Sequence, residues 1–203
     1  LLFGDGVALR YLGQGAKRPS KHQLLLEFED GSALSASVQM YGGLWCFKRG
    51  EFQNQYYDVA RQKPSPLQDE FDFDYYTRLF SEPGVDNPSA KSFLATEQRI
   101  PGLGNGVLQD ILFDAQIHPK RRVNTLGKDE RQRLFRSIKT VLEQMTAQGG
   151  RDTEKDLFGS LGGYKTKMSK NTVNTACQVC GGQVEKQAYM GGSIYFCSGC
   201  QRI

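Results

Sequence analysis

The chain has 203 residues, 38% of them hydrophobic and 24% charged, with a formal net charge of +4. That length holds one large domain or two small ones. No apolar run approaches the ~20 residues needed to span a bilayer, and the first residues show no signal-peptide pattern. The charge is unevenly divided: residues 1–119 carry 11 Lys/Arg against 15 Asp/Glu, and residues 120–203 carry 15 against 7. A basic half suits a polyanion, most simply nucleic acid, although charge alone fits an ordinary solvated surface equally well. Five cysteines suit a reducing compartment, so a cytoplasmic location is expected, on the nucleoid in a bacterium.

The chain opens Leu1-Leu2-Phe3-Gly4, without an initiator Met, directly into strand-like sequence, and reads as a fragment of a longer protein. Residues 1–60 read as β. Gln23 to Phe28 is a strand run, Glu29-Asp30-Gly31 is a hairpin turn, and Ser32 to Val38 returns. Gly42-Gly43-Leu44-Trp45-Cys46-Phe47 is a further strand opening on a glycine pair. Residues 62–75 carry Pro64 and Pro66 followed by acids, the pattern of a linker. From Pro88 the period becomes helical. Ser89 is a candidate N-cap ahead of Phe93 and Leu94, and Pro101-Gly102-Leu103-Gly104-Asn105 breaks the chain. A second helix places Val107, Leu108, Ile111, Leu112 and Ala115 on one face and ends before His118-Pro119. A third runs from about Lys128 to Thr146, with Leu134, Phe135, Ile138, Val141, Leu142 and Met145 at helical spacing. Glu130, three residues after Gly127, forms an approximate capping box, and Gln148-Gly149-Gly150 stops the helix. Residues 151–172 have no clear period and read as a long mobile loop.

Two motifs carry chemistry. Leu103-Gly104-Asn105 opens a helix, where glycines let a ligand approach the backbone and free amides favour an anion; on its own the same stretch is an ordinary turn with an Asn cap. The second motif is more specific. Cys177-Gln178-Val179-Cys180 and Cys197-Ser198-Gly199-Cys200 are two CxxC knuckles separated by a segment that reads as a hairpin, with a turn at Gly191-Gly192 and a strand over 193–196. Four thiolates so arranged suit one tetrahedral, structural Zn²⁺, and Gly181 permits the tight turn after Cys180. Redox dithiols and a two-disulfide scaffold are the competing readings.

The stretch from Ala95-Thr96-Glu97-Gln98-Arg99-Ile100 through Gly104-Asn105 to Phe113-Asp114-Ala115-Gln116-Ile117-His118-Pro119 resembles the helix–two-turn–helix of the formamidopyrimidine-DNA glycosylase / endonuclease VIII family. Lys63-Pro64-Ser65-Pro66-Leu67 with Phe71-Asp72 looks like that family's interdomain linker. Gln148-Gly149-Gly150 is similar to its entry into a lesion-capping loop, and the Cys177–Cys200 spacing equals that of its zinc finger. The resemblance implies an α+β fold in five parts. Residues 1–60 would be the C-terminal part of an N-terminal β-sandwich, 61–86 a linker and 87–150 the helix–two-turn–helix domain. Residues 151–172 would be the flexible loop and 173–203 a zinc-finger β-hairpin.

It also implies an activity. Members remove oxidised bases from DNA and cut the abasic strand through an imine between an N-terminal amine and the sugar. The nucleotide is everted to reach that amine. The family's nucleophile and its neighbouring glutamate match no position here, so no catalytic residue is assigned in this chain. The binding apparatus does match. Asn105 falls on the family's phosphate-binding asparagine, Lys186 on a phosphate-contacting lysine, and Lys170 near a phosphate-contacting tyrosine. The three-residue wedge that fills the duplex after eversion has its paired arginine and aromatic landing on Gln39 and Tyr41, with Met40 between them, and its third position near Asp5. Its zinc-finger arginine falls on Gly192. Lys91, Arg99, Lys120, Arg121 and Arg122 form either an extended phosphate track or a solvated patch. The expected partner is damaged or abasic duplex DNA, bound by a monomer, with no membrane. The alternatives are a catalytically inactive relative that binds distorted DNA and a zinc-ribbon RNA-binding protein.

Overall fold

The computed structural model describes every residue except Asp5, Met40, Tyr41, Pro83 and Gly84, together with the side chain of Gln55. The chain divides into two compact units. The first comprises Leu1–Gln53 with Glu154–Gly162, and the second Asn54–Thr153 with Gly163–Ile203. No helix among the described residues is long and apolar enough to cross a membrane.

The first unit is β. Strands β2 (Val7–Leu12), β3 (Leu24–Glu27) and β4 (Ala33–Val38) form an antiparallel sheet in the order β2-β4-β3. The register sets Leu9 and Leu24 against Ala36, and Tyr11 and Leu26 against Leu34, which gathers one apolar face because side chains alternate along a strand. The β3–β4 turn closes with the Phe28 N–H donating to Ser32 O, and Gly31 takes φ +78°. Strands β1 (Leu2–Phe3) and β5 (Leu44–Trp45) pair separately. A Cβ on Gly43 would lie 2.6 Å from Trp45 Cζ3, so the glycine makes room for the indole. Residues 154–162 edge this unit: the Tyr11 N–H donates to Leu157 O, and the Tyr11 and Phe158 rings meet edge-on at 5.7 Å.

The second unit is mainly helical: α1 (Gln55–Gln62), α2 (Phe73–Arg78), α3 (Ala90–Ala95), α4 (Leu108–Asp114) and α5 (Lys128–Ala147), followed by the hairpin β6 (Glu185–Tyr189) and β7 (Gly192–Phe196). Its core joins Phe71, Tyr76 and Leu79 to Phe93, Leu94, Ile100, Leu108, Ile111, Leu112, Leu134 and Ile138, each at most 1% exposed. Helix α5 starts and ends within a residue of its predicted bounds. Glu130 Oε2 accepts the Gly127 N–H at 2.9 Å, half of the capping box, since glycine has no side chain to complete it. Ser89 caps α3 by accepting the Ser92 N–H. Helix α4 ends in a Schellman turn: Gln116 takes φ +57° and the Ile117 N–H reaches back to Leu112 O.

Three expectations are corrected. Residues 55–60, expected as β, lie in helix α1, which is started by Asn54 accepting the Tyr57 N–H. The stretch 61–86, expected as a linker, carries α2, whose N-terminus is capped by Asp72. Its Phe71 and Tyr76 are fully buried, so this stretch is an anchored part of the helical core. Its proline and acidic residues disguise an aromatic cluster in which Phe71, Phe73 and Tyr76 all contact Phe135 on α5. The hairpin turn is Met190-Gly191, not Gly191-Gly192. Both turn residues have positive φ, as a two-residue hairpin loop requires, and Gly192 is already the first residue of β7.

Candidate nucleic-acid interface and metal centre

The four predicted cysteines converge. Their sulfur atoms all lie within 4.8 Å of one another, with Cys177–Cys200 at 3.8 Å and Cys180–Cys197 at 3.4 Å. A tetrahedral ion with metal–sulfur bonds of about 2.3 Å needs sulfurs roughly 3.8 Å apart, so the set can hold one metal ion. The knuckles are shaped by glycines. Gly181 takes φ +74°, and a Cβ on Gly199 would lie 3.0 Å from Cys180 Sγ. The Gly182 amide, and then the neighbouring thiols, lower the Cys180 thiol to about 7, whereas burial pushes Cys197 up. Four thiols this close cannot all ionise unaided, and a divalent cation resolves that conflict by taking them as thiolates. Gln201, 1% exposed, ties the second knuckle to the helices: its Oε1 accepts the Cys197 N–H and its Nε2 donates to Ile117 O.

The hairpin docks on the helix break. Gln109 is the principal tie. It is 2% exposed, donates from Nε2 to Asn105 O (2.9 Å) and Ser193 O (3.2 Å), and accepts the Tyr195 N–H at Oε1 (3.0 Å). Asn105 Nδ2 also donates to Ser193 O at 3.2 Å. Gly192 completes the contact: a Cβ there would lie 3.5 Å from Asn105 Nδ2 and 3.6 Å from Lys91 Nζ. The start of β7 therefore lies against Asn105, with ordinary van der Waals room for a Cβ.

Segment 163–170 reaches the same place. Asp110, 1% exposed on α4, accepts the amides of Lys167 (3.0 Å) and Met168 (2.7 Å), which holds that loop to the helix. Burial pushes the Asp110 carboxyl above its ordinary value, against the pull of those two amides. Asn105 and Lys170 consequently line one cavity, together with Gln109, Arg151, Ser169 and Tyr195. Lys186 is exposed on β6 opposite Tyr195, so the cross-strand pair shares one hairpin face. Gln39 is exposed in the first unit, its N–H donating to Gly6 O. Met40, Tyr41 and Asp5 lie outside the described residues.

The five cations proposed as a phosphate track or a solvated patch have internal partners. Lys91 Nζ, 5% exposed, donates to Tyr189 O. Arg99 Nη1, 4% exposed, donates to Phe93 O. Lys120 Nζ donates to Gln187 Oε1, Arg121 forms a two-pronged pair with Glu130, and Arg122 Nη1 donates to Asn87 O. These side chains brace the helices and the hairpin. Gln109, Asp110 and Gln201 are not marked in the sequence because polar residues on a helix or beside a CxxC knuckle pass for surface. The available signal was that Gln109 and Asp110 fall among the apolar residues that define the buried face of α4.

Comparison with known proteins matches this architecture. The profile of the formamidopyrimidine-DNA glycosylase H2TH domain matches residues 63–156. A formamidopyrimidine-DNA glycosylase of Listeria monocytogenes is 30% identical over 192 residues, covering 90% of this chain and 67% of the relative. That of Prochlorococcus marinus is 29% identical, covering 91% and 64%. The chain thus spans about two thirds of the length of these relatives. The fold matches the crystal structure of MutM (Fpg) from Thermus thermophilus with TM-score 0.77 at 23% identity, covering 97% of this chain and 76% of that one. It also matches Lactococcus lactis Fpg in complex with DNA containing an abasic site, with TM-score 0.76 at 24% identity, covering 98% and 72%. By its 30% identity over nearly its whole length to the Listeria monocytogenes enzyme, together with the H2TH match, this chain belongs to the formamidopyrimidine-DNA glycosylase family.

Proposed function

We propose that this chain is the DNA-binding portion of a base-excision repair enzyme. In this reading the enzyme binds duplex DNA at an oxidised or abasic nucleotide, releases the base, and cleaves the abasic strand by β-elimination through an imine to an N-terminal amine. The observation that carries the reading is the docking of the hairpin on the helix break, which supports Asn105 and Lys170 as convergent phosphate donors on one cavity. Lys186 extends the contact along the hairpin, and Gln39, Met40 and Tyr41 act as the wedge. Zn²⁺ is the ion held by Cys177, Cys180, Cys197 and Cys200. All-thiolate tetrahedral sites favour zinc, and a closed four-ligand set leaves no position for catalysis. Its role is therefore to hold the hairpin rigid.

The chemistry of the proposal divides cleanly. The residues of this chain bind, orient and exclude solvent; the attacking amine is supplied by family residues that match no position here. Borohydride trapping of the full-length protein on abasic duplex DNA tests the reaction, and a covalent adduct is expected. Replacing Asn105 with Ala tests the interface. Duplex affinity should fall by about 1–2 kcal/mol, the scale of a hydrogen bond to a charged group, and unchanged affinity would reduce Asn105 to a structural role. One observation favours a second reading, a non-catalytic relative that recognises distorted DNA: Gly192, the first residue of β7, presents no side chain beside Asn105. Tight binding of abasic duplex with no trapped adduct would select it.

A further inference from the structure

The face of the β2-β4-β3 sheet opposite Leu9, Leu24 and Leu34 is polar. Arg10 pairs with Ser35, and Ala8 with Ser37, so these four and Leu12 share one face, because side chains alternate along a strand. The segment after β2 folds back over that face. Arg18 pins the segment: it donates from Nη1 to Ala16 O and from Nη2 to Gly31 O, and pairs with Glu27 at 3.2 Å. Sheet and segment bound a cavity of about 710 Å³. Its polar lining is Arg10, Lys17, Arg18, Lys21, Ser35 and Ser37, and no carboxylate lines it among the described residues.

Arg10 is partly buried and fixed in place. Its Nη1 donates to Leu9 O (2.7 Å), Asp156 O (3.1 Å) and Lys155 O (3.4 Å), and no carboxylate meets its charge among the described residues. Lys17 and Lys21 are exposed and have no partner among them. Ser35 is 6% exposed, yet its hydroxyl makes no hydrogen bond among the described residues. A buried hydroxyl without a partner is unfavourable, and three unpaired cations around one cavity repel one another. One anion relieves both. It must carry more than a single charge to balance three cations, and offer oxygens to an arginine fork and two hydroxyls. Phosphoryl groups have both properties, whereas a lone carboxylate has one charge and two oxygens.

We propose that this cavity is a phosphoryl-anion site belonging to the first unit. Arg10 is its fixed cation, Ser35 and Ser37 donate from the sheet, and Lys17 and Lys21 close over the anion from the segment above. The phosphoryl group comes either from a nucleic-acid backbone or from a free nucleotide. The site is built without any residue of the helix break, so it goes beyond the DNA-binding reading of that break and can fail or hold independently of it.

The test uses the full chain, loaded with metal. Inorganic pyrophosphate is titrated at constant ionic strength and followed through the backbone amide resonances within 8–21 and 35–37. Saturable shifts centred on those amides are expected. Ser35→Ala should weaken binding about ten-fold, the scale of one hydrogen bond to a charged group, and Arg10→Gln should abolish it. Because Arg10 also ties three carbonyls, the double variant Lys17→Gln/Lys21→Gln, which has no internal partner to lose, decides the matter. It should bind pyrophosphate at least about ten-fold more weakly at an unchanged melting temperature. No saturable shift at those amides, or wild-type affinity in the lysine double variant, overturns the proposal. A second titration, with abasic-site duplex, separates the two sources. Displacement of pyrophosphate by the duplex, with a log–log salt slope lower by about two units in the lysine double variant, supports the site as one for the nucleic-acid backbone. Duplex and pyrophosphate bound together support it as one for a free nucleotide. Duplex binding that does not depend on Asn105, with pyrophosphate binding intact, sinks the reading of the helix break and leaves this site standing.

Discussion

Gln109 is where the four-cysteine hairpin and the helices are tied together, and replacing it with Met should loosen that tie without opening a cavity. The side chain donates to Asn105 O and Ser193 O and accepts the Tyr195 N–H, all within 2.9–3.2 Å. Methionine has nearly the same length and volume, so packing is retained while these bonds are removed. At about 1 kcal/mol net per hydrogen bond, with the Tyr195 N–H left unsatisfied, the loss comes to about 2–3 kcal/mol. Asn105 Nδ2 still reaches Ser193 O, which keeps the loss from rising further. For a unit of this size, roughly 3 °C of melting temperature accompanies each kcal/mol, so Gln109→Met should melt roughly 6–9 °C below wild type. Hydrogen exchange at the Tyr195 amide should accelerate by about 30- to 150-fold if that opening controls exchange. The metal should stay bound in the folded variant, because no cysteine moves. A melting temperature and a Tyr195 exchange rate both equal to wild type would refute the claim that Gln109 holds the hairpin in place.

Cys197→Ser should release the metal and unfold the hairpin, because a structural site contributes its binding energy to folding; colorimetric zinc determination and duplex binding read this out, and tight binding by metal-free protein would contradict it. Gly192→Arg starts from a Cβ that makes only van der Waals contacts with Asn105 and Lys91; it should tighten duplex binding and steepen its salt dependence by about one phosphate contact, and unchanged affinity would show that the start of β7 does not face the backbone. Glu130 titrates below its usual range: burial opposes its charge, but the Gly127 amide and Arg121 more than offset it. A carboxyl whose folded pKa is depressed contributes stability above its unfolded value, near 4.5, and loses that contribution as pH falls through the folded value. Glu130→Gln should therefore be less stable at neutral pH and flatten the acid limb of the stability profile below that point; superimposable acid limbs would rule this out.

Local rules made much of this protein legible in its sequence. Helix α5 was readable because its apolar residues recur at helical spacing between a Gly127–Glu130 start and a Gly149-Gly150 stop. The β3–β4 hairpin was readable because Glu29-Asp30-Gly31 separates two strand-like runs. The cysteines were readable because thiolate coordination has few spacings. Each of these signals is carried by residues close together in the chain, where backbone geometry and side-chain period leave few alternatives. The helix over 55–62 and the anchored stretch 61–86 were missed for the converse reason. Their short helices are held by capping and by burial of Phe71 and Tyr76 against α5, and neither is a periodic signal.

The candidate interface depended on the tertiary structure to a greater degree. Asn105 and Lys170 were nameable by resemblance, but nothing in the sequence says that Gln109 would bury an amide between the turn and β7. Nor does it say that Asp110 would hold the loop preceding Lys170, or that Arg151 would lie on Gly106. Lys91, Arg99 and Arg121 read in sequence as candidates for the polyanion, and packing commits them to internal carbonyls and carboxylates instead. A charged or amide side chain has the same local preferences whether it meets solvent, a partner or the interior. Only the fold, by bringing residues 105, 109, 170 and 193 together across nearly ninety positions of sequence, decides which groups are spent on holding the protein together and which line the cavity at the helix break.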